Sequence, residues 1–297
     1  YEWEPTDPFF YMYYSYNYSF WLPTAEASLF DSCYIADDTG AATEKFNRNV
    51  FLRNYLRVGD KIESTAVRDW GTLDDPNNPY FRDNAILNAW WRSDIAYWMR
   101  FFASEGEEKT YYISHNYWGT TSTALIDHAT FDYDDNFNLG KISYEPILTT
   151  PLTTTYPFVV DVLLSTSNYT GQSTAINPAP VVGVEPITFT LTFNRDMDTN
   201  VEPSVSFGPD VPQTDYTVDP AEGGWKDPRT WIGRFEVTPI TGDGYQKMRI
   251  TEAVAADDPW LAIGDDSERF RFDIVTSGTE AMNLQGTGGE GYVDLMW

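Results

Sequence analysis

Four short segments share one pattern of side chains, and no other feature restricts the fold of this chain as tightly. Phe30-Asp31-Ser32-Cys33-Tyr34-Ile35, Phe51-Leu52-Arg53-Asn54-Tyr55-Leu56, Phe81-Arg82-Asp83-Asn84-Ala85-Ile86 and Ile113-Ser114-His115-Asn116-Tyr117-Trp118 each read apolar, two spacers, Asn or Cys, then two apolar residues. They recur at steps of 21, 30 and 32 residues, the length of one coil in a stacked parallel β architecture with loops of varying size. Coils of that kind stack at about 4.8 Å, so equivalent positions lie directly above one another. Cys33, Asn54, Asn84 and Asn116 are therefore expected to form one column. Side-chain amides in such a column bond from coil to coil and satisfy groups that water cannot reach. Cys33 would stand in as a small apolar substitute.

The composition agrees with an all-β chain. Aromatic residues make up 16%, with 20 Tyr, 18 Phe and 11 Trp, and these are strand formers. Near the start, Tyr14, Tyr16, Tyr18 and Phe20 alternate with small polar residues at strand period, which suits a wide sheet face better than a sugar-stacking platform. A formal charge of −26 repels phosphate backbones and anionic bilayers, so nucleic-acid binding is set aside. No apolar run approaches the roughly 18 residues of a membrane span, so membrane insertion is not expected. The single cysteine, Cys33, allows neither an internal disulfide nor a Cys-based zinc site. A chain that opens on Tyr1 and stops just after an alternating Val-x-Leu-x-Trp run is expected to be a soluble piece of a longer polypeptide.

A family resemblance emerges from the stretch Asn116-Tyr117-Trp118-Gly119-Thr120-Thr121, then Ile126-Asp127, then Asp134-Asp135 and Tyr144-Glu145-Pro146. It resembles the closing segment of right-handed parallel β-helix proteins, with an Asn-x-Trp-Gly turn, a short helical Ile-Asp segment, an acidic pair and a Tyr-x-Pro strand. The resemblance implies that residues 1–150 are the last coils and C-terminal cap of such a helix. Trp118, Gly119, Asp134, Asp135, Tyr144 and Pro146 would form the cap, which shields backbone groups that an open end would expose.

Residues 151–156 are rich in Thr and Pro and carry no charge, which marks a linker. Beyond it, alternating runs separated by Pro, Gly, Asp and Asn suggest a β-sandwich of about seven strands over residues 157–277. Thr192-Phe193-Asn194-Arg195-Asp196-Met197-Asp198 resembles a signature of the bacterial immunoglobulin-like domains of cell-surface proteins. That resemblance singles out Phe193, Met197, Asp198 and the later Trp231, although Asp196 stands where the family often has Pro. Residues 278–297, with a Gly-rich turn before Val293, Leu295 and Trp297, look like the first hairpin of a fibronectin type III domain. The fold expected is thus all-β: a right-handed parallel β-helix, terminal coils plus cap, followed by an Ig-like β-sandwich.

Catalytic chemistry finds little support. Hydrolysis of a polysaccharide needs acid and base carboxylates flanking the sugar bond, and Asp37, Asp38, Asp74, Asp75, Asp83 and Asp94 are candidates only because 45 acidic residues make such pairs common. His115 and His128 are isolated, which argues against triads and zinc. The run from Asp132 to Asn138 lacks the Gly and the closing Glu of an EF-hand loop. Asp257-Asp258 and Asp265-Asp266 remain as places for an irregular calcium ion, the one cofactor worth considering. Trp90-Trp91, Tyr97-Trp98 and Tyr111-Tyr112 are expected to anchor long insertions rather than stack on sugars. Asn17-Tyr18-Ser19 and Asn168-Tyr169-Thr170 fit the N-glycosylation pattern.

These observations lead to the expectation of a non-catalytic structural segment of a large secreted or cell-surface protein, serving adhesion, surface-layer or filament assembly, or spacing. Its partners would be further domains of the same polypeptide, with copies of itself or carbohydrate next in line. The alternative is the C-terminal part of a polysaccharide lyase or glycoside hydrolase whose active coils lie upstream.

Overall fold

The computed structural model describes residues 29–31, 34–36, 46–52, 55–58, 81–91, 100–103, 110–276, 285–289 and 292–296, and within them the protein is all-β apart from one short helix. The first part contains β1 (Leu29–Asp31), β2 (Tyr34–Ala36), β3 (Phe46–Asn47), β4 (Val50–Leu52), β5 (Tyr55–Val58), β6 (Phe81–Arg82), β7 (Ala85–Leu87), β8 (Arg100–Ala103) and β9 (Thr110–Tyr112). Helix α1 (Thr123–His128), β10 (Thr130–Phe131) and β11 (Lys141–Ser143) complete it. Every strand pairing here is parallel, in the orders β1-β4-β7, β10-β8-β5-β2, β3-β6 and β11-β9.

Strands β4 and β7, Val50-Phe51-Leu52 and Ala85-Ile86-Leu87, are apolar and buried at every position. A strand reads that way when both faces of its sheet are covered. Val50, Leu52, Ala85 and Leu87 cluster with Phe158, and Leu29, Tyr117, Tyr156 and Val160 pack against the same cluster. The pleat turns Phe51 and Ile86, also fully buried, to the opposite face.

Among the described residues the polar column runs through Asn49, Asn84 and Asn116, and its Asn49 rung was not among the four expected. Asn84 accepts on its Oδ1 from the backbone N–H of Asn49 at 3.0 Å and from the Asn49 side-chain amide at 3.2 Å. Asn116 Oδ1 in turn accepts both equivalent bonds from Asn84, each at 3.0 Å. The Asn116 amide closes the ladder by donating to the carbonyls of Ile113 and Ser114. The residue above Asn84 is therefore Asn49, 35 residues earlier. Asn54 precedes β5, which pairs with β2 and β8, whereas Asn84 precedes β7, which pairs with β4. Cys33 and Asn54 themselves lie outside the described residues. The repeat is really Phe46-x-x-Asn49-Val50-Phe51, with Phe46 opposite Phe81 and Val50 opposite Ala85. The step from Asn84 to Asn116 is 32 residues, as read from the sequence.

The second part packs a five-stranded sheet on a six-stranded one. Its strands are β12 (Val159–Ser165), β13 (Gln172–Ser173), β14 (Val181–Val182), β15 (Pro186–Phe193), β16 (Ser204–Gly208), β17 (Tyr216–Thr217), β18 (Asp219–Asp227), β19 (Thr230–Glu236), β20 (Gly244–Val254), β21 (Ala262–Asp265) and β22 (Arg271–Ile274). One sheet runs β13-β12-β15-β19-β18, the other β14-β22-β20-β16-β17 with β21 beside β20, and all pairs are antiparallel except β14 with β22. In β15, Ile187, Phe189, Leu191 and Phe193 are buried and alternate with less buried residues, so one face feeds a core that includes Phe207, Trp231, Ile250 and Phe272. The strands beyond the seven expected are mostly short edge pieces, together with β18, whose register shifts around Gly223 and Gly224. A closing hairpin joins β23 (Gln285–Gly289) to β24 (Tyr292–Met296), with Gly289 opposite Tyr292.

Residues 151–156 are fixed on both sides. The Tyr156 N–H donates to the Arg48 carbonyl at 2.9 Å, and the Thr155 hydroxyl to that of Asp83 at 3.2 Å. From the sandwich, the Asn194 amide reaches the carbonyls of Leu152, Thr155 and Tyr156, and its Oδ1 accepts from the Phe158 N–H. The Tyr156 hydroxyl donates to the Ala262 carbonyl at 2.7 Å.

Candidate functional site

The three ladder residues follow a bend that the sequence pattern contains but does not announce. Arg48, Asp83 and His115, each immediately before a ladder Asn, have φ of 61°, 61° and 59°, the left-handed region that non-glycine residues seldom enter. The Asp83 N–H donates to the His115 carbonyl and the His115 N–H to that of Pro146. His115 is thus a bend residue in the stack, its ring Nδ1 facing the Ser114 hydroxyl at 3.0 Å. Asp83 is held in the same way and pairs with Arg82 at 3.3 Å. His128 is exposed at the end of α1. The remaining acid candidates, Asp37, Asp38, Asp74, Asp75 and Asp94, lie outside the described residues, as do residues 1–21 and Tyr97-Trp98.

At the end of the stack a cleft of about 390 Å3 opens between α1, β10, the 132–140 loop and β11. Several of the residues singled out for the cap meet here: Asp134, Asp135 and Tyr144, joined by Asp127, Asp132 and Glu145. Most of the carboxylates serve the backbone. Buried Asp132 accepts from the N–H groups of Ile142 and Asp134, and Asp135 returns a bond to the Asp132 N–H. Lys141 lies 3.6 Å from Asp134 on the exposed rim. The Tyr144 hydroxyl donates to Asp127 at 2.5 Å. Burial and then that carboxylate push the phenol well above its ordinary value, so Tyr144 stays protonated and acts as a donor, never as a base. Its ring meets the fully buried Trp118 edge-on at 6.1 Å. Gly119 turns away at φ +68°, and Leu148 reaches back to the Asn116 carbonyl. These contacts close the stack.

Among the described residues no group of three or more His, Cys, Asp or Glu side chains is arranged to hold a metal ion. Asp257 is clamped by Arg195, and Asp258 accepts from the Trp260 N–H at 3.0 Å. Asp265 is buried against Arg269, with Ser267 donating through hydroxyl and N–H. Burial alone would raise the Asp265 carboxyl, but the guanidinium and the Ser267 bonds override it and hold it below the ordinary carboxylate range. No described helix is long and apolar enough to cross a membrane.

In the sandwich, Phe193 and Met197 are buried and Trp231 is fully enclosed. The Trp231 indole donates to Glu202, and Leu191 lies opposite it in the sheet. Asp198 takes the N–H and side-chain amide of Asn200, which lower its pKa. Asp196 pairs with Arg229. These residues organise a turn and a core.

The aromatic pair Trp90-Trp91 joins the two parts. The Trp90 indole donates to the Trp118 carbonyl at 2.9 Å, while that of Trp91 reaches the carbonyls of Glu268 and Arg269. The Arg271 guanidinium lies 3.8 Å from the centre of the Trp91 ring. Sequence reasoning missed Asn49, Asn194 and Arg271. Only Asn49 left a readable signal, since it completes the repeat begun by Phe46. Comparison with protein-family models, with curated proteins and with solved structures gives no match.

Proposed function

We propose that this chain is a non-catalytic structural segment of a large secreted or cell-surface protein. In this reading the last coils of a right-handed parallel β-helix, capped by residues 119–150, are welded to an Ig-like β-sandwich, and residues 285–296 begin a further, fibronectin-like module. Its work is mechanical: it holds the modules on its two sides at a fixed distance and angle from each other.

One observation carries the reading. The segment that the composition marks as a linker donates to carbonyls of the parallel stack and offers its own carbonyls to Asn194 of the sandwich. Phe158 then fills the outer face of β4 and β7. A free linker leaves two modules to swing independently, whereas burying Phe158 and occupying the backbone groups of residues 151–156 converts them into one rod. A formal charge of −26 keeps neighbouring rods apart and in solution. Two buried carboxylates further support a structural role, since Asp132 holds backbone N–H groups and Asp265 an arginine.

Limited proteolysis together with a panel of acidic polysaccharides tests this reading. Residues 151–156 are expected to resist cleavage until the whole protein unfolds, and no polysaccharide is shortened. Release of a polysaccharide fragment by this chain contradicts the proposal and favours a degradative enzyme. Early cleavage within 151–156 contradicts the rigid joint.

A further inference from the structure

We infer that Asn168 is an acceptor for an N-linked glycan, an inference that rests on the extracellular part of the proposed function. Of the two tripeptides with the acceptor pattern, Asn168-Tyr169-Thr170 is the one within the described residues, and it occupies the tip of the hairpin between β12 and β13. An acceptor must present the Asn amide and the Thr hydroxyl together to a transferase. Here Asn168 and Thr170 are both exposed, and Tyr169 between them turns its side chain inward. That ring packs against the sandwich core, and its hydroxyl accepts from the Val181 N–H. The inward tyrosine fixes the outward direction of its two neighbours.

The loop is shaped without using the acceptor groups. The Thr166 hydroxyl accepts the N–H groups of Asn168 and Tyr169, the Thr166 N–H donates to the Tyr169 carbonyl, and the Ser165 hydroxyl accepts from Gly171. Ser167 is tied to Glu185. Neither the Asn168 carboxamide nor the Thr170 hydroxyl has a hydrogen-bond partner among the described residues. Both are therefore available for recognition, and a substituent at Asn168 displaces nothing.

The donor is an oligosaccharide carried on a polyprenyl diphosphate, and the enzyme is a separate transferase. Nδ2 of Asn168 forms a bond to the anomeric carbon as the bond from that carbon to the diphosphate oxygen breaks. The carrier departs as its diphosphate, the amide proton passes to a base, and nothing is oxidised or reduced. The position gives the glycan a use. β13 is the outermost strand of its sheet, and an exposed edge is a template for unwanted strand addition. A hydrated oligosaccharide at the hairpin tip covers that edge and so favours separate rods over aggregates.

The chain is to be secreted from a eukaryotic cell that attaches N-glycans, and the secreted protein analysed by intact mass and peptide mapping before and after amidase release. A glycan on the Asn168 peptide is expected, leaving the Asn-to-Asp mass mark after release. The modification is lost in Asn168→Gln and Thr170→Ala and kept in Thr170→Ser, with the melting temperature of the unglycosylated variants unchanged. Secreted protein with a bare Asn168 overturns the inference, as does a glycan that persists in Thr170→Ala. Either result leaves the rigid-rod reading untouched, and early proteolysis at 151–156 would sink that reading without bearing on Asn168.

Discussion

The parallel stack and the antiparallel sandwich face the same difficulty, polar groups cut off from water, and resolve it with different chemistry. In the stack, Asn49, Asn84 and Asn116 pass neutral amide bonds from one level to the next. In the sandwich the corresponding work falls to charge: Asp265 and Arg269, with side chains only 5% and 6% exposed, hold each other, and Arg269 also donates to the Val159 carbonyl at the start of β12. A repeated neutral rung can be copied at every level because stacking adds no net charge. A buried ion pair is a single local solution that depends on both partners and on protonation. The two halves should therefore respond differently to pH and to the loss of one side chain.

The largest effect is expected at the ion pair. Replacing Asp265 by Asn strands a buried guanidinium, and removing one partner of such a pair costs about 3–5 kcal/mol. Urea unfolding followed by tryptophan fluorescence measures it. Because the folded carboxyl titrates below its ordinary value, its contribution is complete above the unfolded pKa of about 3.9 and disappears as pH falls through the lower folded value. The wild-type protein accordingly loses stability in acid, and Asp265→Asn loses less on the same descent. An equal acid response in the two proteins would erase the contrast between charged sandwich and neutral stack.

Next comes the surface where the halves meet. Truncating Phe158, 3% exposed among Val50, Leu52, Ala85 and Leu87, to Ala is expected to cost about 3 kcal/mol and to expose residues 151–156 to protease. Smaller again is the ladder. Asn84→Leu takes the Asn84 acceptor from the Asn49 donors, whereas Asn116 Oδ1 loses the Asn84 side-chain amide but keeps its backbone N–H, for a loss of about 1–3 kcal/mol. Calorimetry from about pH 3 to about pH 8, across the carboxylate titrations at about pH 4, is expected to show that penalty unchanged. A penalty that varies with pH would mean that the stack, too, depends on charge. At the bottom of the scale, Trp260, 89% exposed on the loop before β21, should tolerate Ser within about 0.5 kcal/mol.

The same two halves differ in how much their sequence reveals. Alternation at period two is a local signal, and it placed β12, β15, β16, β19, β20 and β22 within a few residues. β18 went unread because Pro220, Gly223 and Gly224 look like turn residues until the bulged pairing with β19 supplies its partner. In the stack the information is not local. Phe51 opens one repeat and ends another, so the pattern matched at Asn54 as well as at Asn49, and it is the strand partners that set Asn49 over Asn84. Both faces of β4 and β7 are covered, which removes the alternation that would have fixed the phase. At the end of the stack, Trp118, Gly119 and Tyr144 stood out through the resemblance to a β-helix closing segment. The bonds across the joint stayed hidden, because Asn194 and Trp91 reach their partners only after the chain has folded back across a long separation.

The central claim is that the stack and the sandwich form one rigid element. Its most direct test is a distance distribution by pulsed electron spin resonance between spin labels at Asp134→Cys and Ile240→Cys, both exposed positions, in a Cys33→Ser background. A single narrow distribution that broadens in Phe158→Ala is the outcome expected. A broad distribution in the otherwise unaltered protein would show the halves swinging freely and would contradict the account.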